Sequence, residues 1–155
     1  MNKLDQLIPQ RPPMRMIDEF ITCENQTVHC RSKITTQHLF FCHDKKSIPH
    51  WVAVEMMAQT AAVYACLYAK QQAQDDDKPK IAFLMSVRQY KTAVAFYAEN
   101  TIVDTYAECI LIDNEVGVFD CRCEINGQWV ASVKVSAYQP KDSKVAIESL
   151  IRSGQ

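Results

Sequence analysis

A carboxylate and a carboxamide, Glu55 and Gln59, interrupt the most apolar stretch of the chain. If that stretch is helical, their four-residue spacing puts both side chains on one face. A carboxylate buried among Met and Val is costly unless it has a partner or a task. Burial of that kind also favours the protonated form of a carboxyl group, which is what a general acid needs. The competing reading is a structural Glu tied to Arg88 or to backbone.

The remaining reactive residues are less organised. The four histidines stand at 29, 38, 43 and 50: His29 in an alternating segment, His38 and His43 in an irregular one, and His50 just ahead of the apolar run. Seven cysteines are scattered through core-like segments with no CxxC pair, and they read as reduced, buried thiols of a cytoplasmic protein. Cys121 and Cys123 share a strand face but lack a second ligand pair, so no metal is expected. There is no Gly-rich phosphate loop, and no cofactor is expected.

The element that must position Glu55 runs from Trp51 to Gln72 without Gly or Pro and is dominated by Ala, Met, Leu and Val, a composition that favours helix. Pro49 precedes it, where missing amide hydrogens cost little. Apolar residues occupy nearly every side as far as Lys70, so the helix is expected to be buried all round. Glu55 and Gln59 leave it short of the uninterrupted run of a membrane span, so no membrane span is expected.

Strands flank this helix. Met14 to Cys23 reads as a strand, and Thr27 to Thr35 alternates, with Val28, Cys30, Ser32 and Ile34 on one side. After a loop containing Asp75-Asp76-Asp77, Ile81 to Tyr90 reads as a buried strand. Thr101 to Ile112, Val116 to Ile125 and Gln128 to Tyr138 follow as three more. In the last hairpin, a two-residue Asn126-Gly127 turn would set the apolar faces on opposite sides of the sheet. A three-residue connection with Cys123 opposite Trp129 is therefore expected. Val145 to Ile151 reads as a short amphipathic helix and Ser153 to Gln155 as frayed. The organisation is a single domain over 1–140 with a polar tail over 141–155. Two strands, a long helix and about four strands mean α+β, an antiparallel sheet curved round one helix.

Apolar residues make up 48% and charged residues 23%, a balance that indicates a globular rather than a disordered chain. A net charge of −1 without a basic block gives no support for nucleic-acid binding. No apolar signal core follows Met1.

Ile48-Pro49-His50-Trp51-Val52-Ala53-Val54-Glu55-Met56-Met57-Ala58-Gln59 resembles the helix signature of the hot-dog-fold 3-hydroxyacyl-acyl-carrier-protein dehydratases, roughly M-P-G-V-L-I-V-E-A-M-A-Q. Leu7-Ile8-Pro9-Gln10-Arg11-Pro12-Pro13 resembles the same family's opening, L-L-P-H-R-P-P. Val52 to Gln59, Phe83-Leu84 and Arg88-Gln89-Tyr90 look most like the dehydratase-like subunits of aryl polyene clusters. The resemblance implies a hot-dog fold that dimerises edge to edge, with itself or with another hot-dog subunit. It implies an acyl carrier protein thioester as substrate. Glu55 falls on the family's acid. The family's base is the His of a G-H-F-P loop, which is absent here; Phe41-Cys42-His43-Asp44 stands near that place, two residues closer to the helix, with His38 as the fallback. His50 replaces the family's Gly, whose amide polarises the thioester carbonyl; it would border the substrate and keep that amide. Gln59 would orient Glu55. A catalytically weak partner of an active dehydratase is the alternative, and a hot-dog thioesterase is a further one.

Overall fold

The computed structural model describes residues 2–72, 82–140 and 143–154. A 3-10 turn (Lys3–Gln6) leads to strands β1 (Glu19–Glu24), β2 (Thr27–Lys33) and β3 (Ser47–Pro49), then helix α1 (Val52–Gln71). Strands β4 (Phe83–Thr92), β5 (Phe96–Ala98), β6 (Ile102–Asp113), β7 (Val116–Ile125) and β8 (Gln128–Tyr138) follow, and helix α2 (Ser143–Ser153) ends the described chain. Six strands form one antiparallel sheet in the order β1-β2-β6-β7-β8-β4, and β3 pairs with β5.

The alternation in β2 does what the sequence requires. Val28, Cys30, Ser32 and Ile34 are buried against α1. From the helix, Val52, Ala53, Met56, Met57, Ala61 and Val63 complete this core. A hydroxyl pair crosses it: Thr105 on β6 donates to Thr60 at 2.8 Å, with the Cys30 carbonyl 3.3 Å from the same Thr105 oxygen. Thr60 in turn donates to the Met56 carbonyl of its own helix at 2.8 Å, so both buried hydroxyls are hydrogen-bonded.

Several expectations are corrected. The first strand starts at Glu19 rather than Met14 because side chains claim the backbone before it. Gln59 takes Met14 and Met16, and Ser32 donates to the Met16 carbonyl at 2.9 Å. Helix α1 is not buried all round. By length and mean hydropathy it is apolar enough to cross a membrane, yet it packs inside the sheet, with half of its most apolar window buried. Strand β4 is not a buried strand but, among the described residues, the edge of the sheet, exposing Leu84 (48%), Met85 (59%) and Val87 (43%). Its apolar pattern reads the same whether a strand is buried by its own chain or by a second one. Helix α2 spans Ser143–Ser153, longer at both ends than expected and still helical at Ser153. The Asp75-Asp76-Asp77 run lies outside the described residues.

The last hairpin is turned by two residues, which refutes the three-residue connection. Asn126 (φ 52) and Gly127 (φ 77) set Ile125 opposite Gln128 and Glu124, rather than Cys123, opposite Trp129. The conflict between faces is real but is solved elsewhere. A bulge at Trp129-Val130 shifts the register so that Cys123 meets Ala131 and Cys121 meets Val133, and all four are buried. Both turn residues need left-handed backbone. Gly127→Val is therefore expected to cost about 1–2 kcal/mol in urea denaturation; an unchanged midpoint would refute this account of the turn.

Candidate active site

Glu55 stands in the first turn of α1, and Gln59 one turn on, so the helix itself brings them together. Gln59 is 1% exposed. Its Oε1 accepts the Met16 amide at 2.8 Å, and its Nε2 donates to the Met14 carbonyl at 3.0 Å and to Glu55 Oε1 at 2.9 Å. The Met16 amide can only donate, so it fixes which end of the carboxamide faces the carboxylate. Arg88 does not bond Glu55, whose hydrogen bond among the described residues is to Gln59.

Glu55 itself is exposed in the isolated chain, which corrects the expectation of a buried acid. It borders a cavity of about 230 Å³. Ala58, Ala62, Ala65 and Ala69 continue from Glu55 along one face of α1 and form one wall; Leu84, Ile112, Phe119 and Ala137 form the sheet side. The small side chains leave a slot between helix and sheet that larger residues would fill. Pro9 and Gln10 border the same space. Trp51, Met56, Met57, Phe83 and Tyr90 are not among its walls. The alanine face was present in the sequence as a repeat at three- and four-residue spacing, but alanine also reads as helix core.

The histidines are spread out. His43 is exposed in the turn between Cys42 and Ser47, with its ring edge on Phe41 at 5.1 Å. His38 is half-buried. Its Nδ1 accepts the Phe40 amide at 3.2 Å, and its Nε2 is buried without a partner. Burial pushes the His38 imidazole below its ordinary value, against a smaller upward pull from Asp18. His29 lies 2.7 Å from Asp104 and stacks on Tyr106. Partial burial pushes the Asp104 carboxyl up, but hydrogen bonds from His29 and Arg31 outweigh it and hold the group below the ordinary range.

His50 lies between β3 and α1. Its amide donates to the Ala95 carbonyl at 3.1 Å, continuing the β3–β5 pairing one step past Pro49 and Phe96. The amide expected to polarise a thioester carbonyl is therefore already engaged. The side chain pairs with Tyr90, with Nδ1 2.9 Å from the phenol oxygen.

A long helix held in a curved antiparallel sheet, with a carboxylate in its first turn beside an apolar slot, defines a hot-dog protein. The family model of the ApeP-like proteins, described as ApeP dehydratase, matches residues 2–148, and the chain belongs to that family. This agrees with the resemblance to the dehydratase-like subunits of aryl polyene clusters. Among solved structures, the dehydratase heterocomplex ApeI:P from Xenorhabdus doucetiae is similar, with a TM-score of 0.81 at 23% identity over 93% of this chain and 95% of that one. A point variant of an HP0420 homologue from Helicobacter felis is similar at a TM-score of 0.67 and 9% identity, over 96% and 93%. A hypothetical thioesterase with coenzyme A from Streptococcus pneumoniae is similar at 0.57 and 8%, over 78% and 86%. These likenesses show the fold. No curated protein sequence matches significantly.

Two measurements check this geometry. Gln59→Leu strands the buried Met16 amide and should cost about 1–3 kcal/mol in chemical denaturation; a neutral effect would mean that the carboxamide holds nothing. For His38, a folded-state value below the unfolded 6.5 means stability is full above that pH and is lost as pH falls below it. His38→Asn keeps an acceptor for Phe40 but cannot titrate. Its thermal midpoint should fall less than that of the native chain between pH 7 and 5; equal slopes would contradict the assignment.

Proposed function

We propose that the chain is a subunit of a dehydratase acting on 3-hydroxyacyl thioesters of acyl carrier protein, with its site completed by a second hot-dog subunit. The observation that carries this reading is Glu55, a carboxylate aimed by Gln59 at an apolar slot with no imidazole bonded to it among the described residues.

Removing water from a 3-hydroxyacyl thioester needs a base for the α-proton, an acid for the departing hydroxyl and a donor for the thioester oxygen. Glu55 is the acid in this reading, Gln59 its positioning residue, and the alanine-walled slot the place of the acyl chain. The isolated chain does not assemble the rest, because His43 is exposed and the His50 amide is taken by Ala95. The outer edge of β4, which pairs with no further strand among the described residues and exposes Leu84, Met85 and Val87, is where a second sheet would join. Such docking would withdraw Glu55 from water, as an acid at work requires. The heterocomplex formed by the similar Xenorhabdus protein supports a partner of the same fold.

The purified chain alone should turn over a 3-hydroxyacyl thioester slowly, and a mixture with its hot-dog partner should do so fast. Within the pair, Glu55→Gln should lower kcat at the site that Glu55 serves at least about 100-fold. Full rate in that variant would refute the role of Glu55. Full rate from the native chain alone would remove the need for the second subunit. Release of free thiol without dehydration would favour a thioesterase.

A further inference from the structure

The hydrogen bonds of His50 assign its proton. Nδ1 lies 2.9 Å from the Tyr90 phenol oxygen, and the phenol reaches the His50 carbonyl oxygen at 3.0 Å. A phenol has one hydrogen to give. If it went to Nδ1, the phenol and carbonyl oxygens would face each other at 3.0 Å with no hydrogen between them. The phenol hydrogen therefore goes to the carbonyl, and Nδ1–H donates to the phenol oxygen. That leaves Nε2 as the lone-pair nitrogen of a neutral imidazole.

This nitrogen is available. It has no hydrogen-bond partner among the described residues, and it is not one of the buried unpartnered atoms, which are Gln10 Oε1, His38 Nε2 and the Tyr97 hydroxyl. The two rings are nearly parallel, 8° apart with centroids at 5.7 Å, so the imidazole plane is held as well as its tautomer. Burial pushes the Tyr90 phenol above its ordinary value, which keeps its hydrogen in place. The other three imidazoles lack this combination. His38 accepts at Nδ1, so its Nε2 is the protonated and buried one; His29 is bound to Asp104; His43 is fixed by no hydrogen bond among the described residues. Tyr90 belongs to β4, so His50 is anchored to the strand whose outer edge is free.

We propose that His50, in place of His43, is the base of the composite site, and that Tyr90 is its positioning residue. The inference rests on the dehydratase reading above. Nε2 takes the α-proton of a 3-hydroxyacyl thioester, and the C–H electron pair becomes the Cα–Cβ double bond. The C–O bond breaks, and the hydroxyl leaves as water with a proton from a carboxylic acid of the second subunit. The imidazolium then loses its proton to solvent, from which the carboxylate regains one. Glu55 serves the other site of the pair, since His50 is not on the walls of the slot that Glu55 borders.

The test uses the native pair with a 3-hydroxyoctanoyl thioester, and 15N NMR of the chain. The spectrum should show His50 protonated at Nδ1 and bare at Nε2, and Tyr90→Phe should mix the tautomers. In a pair whose other site is silenced by Glu55→Gln, His50→Gln should lower the remaining kcat at least about 100-fold. In the same Glu55→Gln background, Tyr90→Phe should lower kcat about tenfold and move the acid limb of the pH profile, with KM nearly unchanged. Turnover in the Glu55→Gln pair that survives His50→Gln with an unchanged pH profile, or a His50 protonated at Nε2, would overturn the inference and leave the dehydratase reading standing. Absence of turnover by the native pair would sink that reading and this inference together.

Discussion

The carboxamide of Gln59 is the interaction on which the site depends. One side chain bonds the backbone on both sides of Arg15 and the carboxylate of Glu55, so the N-terminal segment, the helix and the acid are placed together. A buried carboxamide with an unmet donor or acceptor would be costly; fully bonded, it fixes one arrangement. The segment before β1 is irregular for the same reason, since the backbone groups of Met14 and Met16 are spent on Gln59 and Ser32 instead of on a neighbouring strand.

The pair Glu55 and Gln59 was legible in the sequence because polar residues four apart in an apolar helix point at each other. Most strands were legible too, since in β2, β7 and β8 alternation matches the buried face. What escaped was information that pattern does not hold. A bulge at Trp129-Val130 and a longer turn both realign the faces of the last hairpin, and only backbone geometry distinguishes them. The slot escaped because an alanine wall looks like core. The tie between His50 and Tyr90 joins residues forty apart in sequence, and no periodicity reports it.

The burial of the isolated chain is incomplete at two places that share a border. The slot beside α1 and the free edge of β4 both involve Leu84, which lines the one and lies exposed on the other. A sheet that ends in an apolar edge and a helix with an uncovered alanine face are unfinished surfaces for one protomer. A second sheet joined at β4 would cover the edge and bring foreign side chains toward the slot. The incomplete chemistry of the protomer and its incomplete burial then have a common cause.

The most direct test is a crystal structure of the assembled pair with a bound, non-reacting 3-hydroxyacyl thioester analogue. The account predicts the analogue's hydroxyl within hydrogen-bonding distance of the Glu55 carboxylate, its alkyl chain along Ala58, Ala62 and Ala65, and a side chain of the second subunit facing Glu55. An analogue bound elsewhere, with Glu55 still open to water or locked in an ion pair, would contradict it.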